Sequence, residues 1–250
     1  SLAREVRARG IVAGPVDVAF LMGDEAATHR FQDVAAKLVK SGAERPVVVP
    51  LLVSSPSGHY EQIRYLAGLT DSLDADMMMM LHMSGIERVT NIPITVSRSL
   101  DDSPELATVL ARHAKSQVSD PSHRALLLLG HGPNSAEDYA LWMKNLRVVA
   151  DSVRMAAGFA SVTVELVRDD APAIVREEAV RRTRELIGLQ RAATGNDVIV
   201  VPILVSSGTV NRKTLPADRR GTPVICSTMP LLPVSSIIRW VDGVVHESAV

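Results

Sequence analysis

Cysteine is almost missing from this chain of 250 residues. Cys226 stands alone, which excludes an intrachain disulfide and, by itself, an iron–sulfur cluster or a structural zinc site. Aromatic residues make up only 3%, so the core must be assembled from Val, Leu, Ile, Ala and Met. No apolar run approaches the roughly 18–20 residues of a membrane span, and no signal-peptide pattern opens the chain. The expectation is a cytoplasmic protein with no membrane partner. Neither sign of charge is in excess: 27 basic residues face 28 acidic ones, which leaves no electrostatic case for nucleic acid. Also missing are a G-x-S-x-G elbow, a Walker sequence and G-x-G-x-x-G. Their absence argues against a hydrolase nucleophile and against nucleotide or dinucleotide binding, and no organic cofactor is expected. A phosphohistidine enzyme would carry arginine before its His-Gly; Gly130 stands there instead.

What is present is an ordinary folded composition, 46% apolar and 22% charged, in a length that suits one large α/β domain or two small ones. The chain repeats itself. Val16–Asp24 and Val162–Asp170 are both apolar strands running into acidic residues, and Val47-Val-Val-Pro-Leu-Leu-Val-Ser-Ser55 matches Ile199-Val-Val-Pro-Ile-Leu-Val-Ser-Ser207 almost letter for letter. Thirty-three residues separate Val16 from Val49 and 39 separate Val162 from Val201, so the second copy has the longer connection. Helical stripes lie between the strands: Phe31, Val34, Ala35, Leu38 and Val39 in the first copy, and Ile174, Ala179, Thr183, Leu186 and Ile187 in the second. Each copy adds a further strand, Ile92–Val96 and Pro223–Ser227, and a final helix. Ser103-Pro104-Glu105 is a helix start, with an N-cap serine, proline at N1 and an acid in the first turn. Unbroken Val/Ile/Leu strands alternating with helices imply parallel sheets covered on both faces. The expected fold is therefore α/β in two tandem halves, 1–118 and 124–250, joined through the polar stretch around Pro121.

The second copy opens with an element that the first lacks. Leu126-Leu-Leu-Leu-Gly-His-Gly-Pro133 reads as a buried strand ending in a glycine-flanked histidine, followed by a helix carrying Tyr139, Trp142, Leu146, Val149 and Val153. Leu2–Gly10 reads as the tail of the corresponding helix in the first half. The repeat spacing then expects an apolar first strand and small-residue loop about 15 residues upstream of Ser1 in the natural protein.

In open parallel sheets, ligands bind beyond the carboxyl ends of strands. His131, His59 in Ser54-Ser-Pro-Ser-Gly-His59, and the strand-end acids Asp24, Glu25, Asp169 and Asp170 all fall there. Imidazole and carboxylate suit borderline divalent ions such as cobalt(II), iron(II) and nickel(II). Against this, a histidine after a strand is often only a loop residue, and strand-end acids are more often helix N-caps. His29, His113, His123 and His246 read as surface residues. Small glycines beside His131 would let a large ligand approach the backbone. The run Asp76-Met-Met-Met-Met-Leu-His82-Met83 reads either as core filling or as a pliable flap over a flat ligand, with His82 an extra ligand candidate.

A strand ending in Gly-His-Gly, a second strand Val-Pro-Leu-Leu-Val-Ser-Ser followed by Gly-His, and an internal duplication together resemble the class II tetrapyrrole chelatases. The nearest branch is the CbiX-like sirohydrochlorin cobaltochelatases and ferrochelatases, over roughly Val16 to Val241. The resemblance implies two flavodoxin-like halves with the macrocycle in a cleft between them. It also implies insertion of a divalent metal, cobalt or iron with nickel also acceptable, into sirohydrochlorin or a related tetrapyrrole. His59 and His131 match the family's two metal-facing positions, in opposite halves, and are the catalytic and metal-binding candidates. Ser55, Gly58, Gly132, Asp24 and Asp170 are the substrate-binding candidates. The position answering His59 in the second half, Gly208–Asn211, has no imidazole. The substrate is a polycarboxylate, so Arg64, Arg88, Arg98, Arg168 and Arg212 are candidates for its rim, although such arginines are more often ordinary solvated charges. Two other classes remain: a degenerate member that binds metal or tetrapyrrole without inserting, and an interaction module that keeps only the fold.

Overall fold

The computed structural model describes residues 2–10, 12, 14–206, 214–218, 220–232 and 235–249. In chain order come α1 (Leu2–Ala8), a 3₁₀ turn (Asp24–Ala27), α2 (Phe31–Lys40), β1 (Val47–Val48), α3 (Gly58–Leu66), α4 (Ala75–Met83), β2 (Thr95–Val96) and α5 (Pro104–Lys115). Then follow β3 (Ala125–Gly130), α6 (Ala136–Ala157), β4 (Ser161–Leu166), α7 (Ala173–Thr194), β5 (Val198–Ile203), α8 (Leu215–Asp218), β6 (Val224–Cys226) and α9 (Ser235–Ala249). Two compact units form: residues 1–99 with 238–250, and residues 100–237. Their boundaries differ from the repeat boundaries read from the sequence. Helix α5 follows the first copy but packs on α6 and β5, so it belongs to the second unit, while most of α9 belongs to the first. A repeat boundary records duplication; a compact unit records which apolar faces bury each other.

The second unit is a parallel sheet of order β4-β3-β5-β6. Every residue of β3 is buried, as its continuous apolar run requires when both faces are covered. Leu127 and Leu129 pack with Ile187 of α7. The alternating Leu126 and Leu128 are equally buried. From β3 the chain moves to β4 on one side and then returns to β5 on the other. That reversal is a topological switch point, and it opens a crevice beyond the carboxyl end of β3.

The first unit has one short parallel pair, β1 with β2. Its register repeats that of β5 with β6: Val47 pairs Thr95 and Val48 pairs Val96, as Ile199 pairs Ile225 and Val200 pairs Cys226. The next bond also recurs, Ser97 N–H to Val48 O and Ser227 N–H to Val200 O, each 2.9 Å. The duplication is thus visible bond by bond. Val16–Leu21, expected as a strand, forms none. Its counterpart β4 hydrogen-bonds to β3, and among the described residues of the first unit no strand pairs with this segment.

Several local expectations hold. Ser103 caps α5 through Leu106 N–H, and α1 ends near Gly10 at φ 61. His113, read as a surface residue, is instead 3% exposed on the inner face of α5. Burial, with the Arg112 charge beside it, holds its pKa below the ordinary 6.5. A depressed folded-state pKa means that its contribution is intact above 6.5 and is lost as pH falls toward the depressed value. Between pH 7.5 and 5.5 the urea midpoint should therefore change less favourably in wild type than in His113→Gln; equal slopes for both proteins would contradict this.

Candidate active site

His131 is the first residue past β3, at the switch point. Its placement comes from packing against the end of β4. A Cβ on Gly130 would lie 2.7 Å from Leu166 Cδ2, and one on Gly132, at φ +87, would lie 2.8 Å from Leu166 Cβ. The flanking glycines are therefore needed by the protein's own strand-end packing, a reason that the sequence reading, which gave them to ligand approach, did not supply. Val167 N–H donates to Gly130 O at 2.9 Å and Arg168 N–H to His131 O at 2.6 Å, carrying the parallel pairing past the strands. Arg168 also donates from Nε to Pro133 O at 2.9 Å and from a terminal nitrogen to Asn134 O. Its guanidinium lies 5.1 Å from the Tyr139 ring centroid. Arg168 thus braces the histidine loop rather than standing free for a substrate.

The imidazole of His131 sits between two acids. Nδ1 hydrogen-bonds Asp169, and Nε2 lies 3.5 Å from Asp170 Oδ2. Asp169 is nearly buried, whereas the Asp170 side chain is 71% exposed. The expectation that these acids cap a helix does not hold for α7, whose N-cap is Pro172 without a side-chain bond; Asp169 goes to the histidine. Burial alone would lower the His131 pKa, but the Asp169 hydrogen bond and the charges of Asp169 and Asp170 outweigh it, and the net shift is upward. Burial would likewise raise the Asp169 carboxyl, yet the bond and charge of His131, with Arg176 nearby, hold it below the ordinary range. A carboxylate accepts only, so in the neutral ring Nδ1 carries the hydrogen and Nε2 the lone pair.

His59 is not on a loop, as expected, but in the first turn of α3. Ser57 caps that helix by accepting from Tyr60 N–H at 3.2 Å, and the Tyr60 hydroxyl donates to Ser97 O at 3.1 Å beside the end of β2. Ser55 accepts from Ser99 N–H at 3.0 Å, tying the segments past β1 and β2 together. Gly58 packs against Met77, whose Cε would be 3.0 Å from an added Cβ. Nδ1 of His59 lies 2.8 Å from Gln62 Oε1.

The remaining candidates fall elsewhere. Asp24 is exposed in the 3₁₀ turn with Glu25. His82 is exposed on α4, and the methionine run is neither wholly core nor wholly free: Leu81 is buried, Met77 and Met78 are half-buried, and Met79, Met80 and Met83 face outward. Three proposed rim arginines have acidic neighbours, Arg64 with Glu61, Arg88 with Asp71 and Arg98 with Glu247. Arg212 and the segment Gly208–Asn211 lie outside the described residues. Among the described residues, no three His, Cys, Asp or Glu side chains form a group that would hold a metal. No helix among them is long and apolar enough to cross a membrane.

The duplicated parallel α/β units have counterparts among known proteins. The CbiX family model matches residues 1–117, the segment that contains His59. The fold is that of the chelatases. SirB from Bacillus subtilis with Fe3+ superposes with a TM-score of 0.64 at 15% identity, covering 99% of this chain and 87% of that one. The sirohydrochlorin chelatase SirB from Bacillus subtilis subspecies spizizenii in complex with cobalt gives 0.55 at 17%, covering 99% and 89%. DR2241 from Deinococcus radiodurans, a multi-domain protein with structural similarity to chelatases and two additional domains, gives 0.58 at 16%, and this chain spans 50% of it. A search of the curated proteins finds no match. The resemblance read from the sequence, to class II chelatases of the CbiX-like kind, therefore holds.

Proposed function

We propose that this protein inserts a divalent metal, cobalt(II) or iron(II), into sirohydrochlorin or a closely related tetrapyrrole. The observation that carries this reading is His131 at the switch point of a parallel sheet, with Asp169 holding one ring nitrogen and leaving the other for chemistry. Each half of the duplication, 1–118 and 124–250, supplies one imidazole, His59 in the first turn of α3 and His131 directly after β3. The neutral Nε2 of His59 or His131 is a ligand for a borderline ion. A lone imidazole holds that ion loosely enough to surrender it to four macrocycle nitrogens.

Metal entry releases two pyrrole protons, and something must take them up. His131 with Asp169 is built for that step. The carboxylate orients the ring and stabilises the imidazolium, and the exposed Asp170 offers a route for the proton to water. Ser55, Gly58 and Gly132 lie beside the two histidines and are assigned to substrate contact with Asp170; Asp24 is assigned there on its strand-end position alone. No nucleotide or organic cofactor is required. The metal is a substrate of the reaction, not a resident group.

SirB structures holding iron and cobalt, together with the CbiX match, support the reading. The test is cobalt(II) insertion into sirohydrochlorin under anaerobic conditions, followed by the change in the macrocycle's visible absorption. Metal binding without insertion would favour the binding-protein reading. Absence of both would leave a fold kept as an interaction module.

A further inference from the structure

We propose that Gln62 is a positioning residue, which locks the His59 ring with Nδ1 protonated and Nε2 presented as the metal-binding nitrogen. This rests on the reading of His59 as a metal ligand, and it gives the methionine-rich helix a place in the site.

The argument is a chain of donors and acceptors. Gln62 lies one turn after His59 on α3, so the two side chains share a helix face. It is 1% exposed, and a buried amide must find partners for both ends. Its Nε2 donates to Met77 O at 2.9 Å. A carbonyl oxygen only accepts, so the amide nitrogen must face Met77 and Oε1 must face His59. Oε1 also only accepts, so His59 Nδ1, 2.8 Å away, carries the hydrogen. In the neutral ring the lone pair is then on Nε2.

Met77 is itself held in place. Asp74 caps α4 by accepting from the N–H groups of Asp76 and Met77 at 2.9 and 3.4 Å, and the Met77 side chain lies against Gly58. The Met77 carbonyl is therefore a fixed reference point, read by Gln62 and passed to His59. His131 reaches the same ring state through Asp169, but with a charged acceptor. Both halves thus present Nε2, His59 through a neutral amide and His131 through a carboxylate.

The test is long-range ¹H–¹⁵N spectroscopy of the imidazoles in the whole chain at pH 7.5, with the His59 signals assigned by their loss in His59→Ala. Wild type should show His59 as the Nδ1–H tautomer. Gln62→Met, close in shape but unable to accept from the ring, should release it to the Nε2–H form, whereas Gln62→Glu, which keeps an acceptor, should retain Nδ1–H. Nickel(II) titrated alone should bind about 10- to 100-fold more weakly to Gln62→Met than to wild type, with circular dichroism confirming that the variant is folded. A wild-type His59 in the Nε2–H form overturns the proposal without any variant, as does an unchanged tautomer in Gln62→Met. If wild type binds no nickel(II), the ligand reading of His59 fails, while the tautomer still decides what Gln62 does.

Discussion

Replacing His131 with alanine is expected to slow metal insertion on the order of 10²-fold or more, the usual loss when a positioned proton acceptor is removed. His59→Ala should fall comparably, because that ring is the proposed metal ligand of the segment that the CbiX model matches. Both variants should remain folded. Without His131, the Asp169 carboxylate loses that hydrogen bond but keeps a backbone N–H bond and the favourable charge of Arg176. Without His59, one Gln62 oxygen loses its partner, at a cost of about 1–3 kcal/mol. Steady-state rates with circular dichroism on the same samples check this. Full activity in either variant would remove that histidine from the mechanism.

The second large effect is expected at Asp169, which would touch neither metal nor macrocycle and acts through His131. Asp169→Asn keeps the shape but removes the charge that favours imidazolium, and its amide can present either a donor or an acceptor to Nδ1. Loss of such an orienting partner typically costs about 10- to 100-fold in metal affinity or activity. The His131 pKa should drop with it. Stability should change in a pH-dependent way. His131, raised above 6.5, contributes below 6.5 and loses that contribution as pH rises through its folded value. Asp169, depressed below 3.8, contributes above 3.8 and loses that contribution as pH falls through its folded value. The pair therefore stabilises most between about 3.8 and 6.5, and Asp169→Asn should lower stability in that window and flatten the profile on either side of it. A variant with wild-type kinetics and an unchanged profile would reduce the Asp169 bond to decoration.

Much of this architecture was legible in the sequence because burial writes itself into composition. The run Leu126–Leu129 can only be a strand covered on both faces, and the near-identity of Val47–Ser55 with Ile199–Ser207 announces a shared sheet position that the matching registers of β1–β2 and β5–β6 bear out. What was illegible depends on long-range pairing. Val16–Leu21 has strand composition, but a strand needs a neighbour, and composition does not say whether one is there. The Asp169–His131 bond spans 38 residues; its only sequence trace is the acidic end of a repeated strand, which reads as readily as a helix cap. His59 looked like a loop residue because the Ser57 cap that begins α3 is buried in a run of serines and a proline. Gln62, three residues beyond His59, had a spacing signal, but only once that segment was known to be helical. His113 misled for a simple reason: a polar residue in a helix facing a sheet looks the same in sequence as one facing water.

The central claim is tested most directly by the rate at which this chain converts sirohydrochlorin and cobalt(II) to the metallated product, measured beside the spontaneous reaction and beside the His59→Ala/His131→Ala double variant. The account predicts a protein-dependent rate well above the spontaneous one in wild type, collapsing to the spontaneous rate in the double variant. A wild-type rate no faster than the spontaneous reaction, or a double variant as fast as wild type, would contradict it.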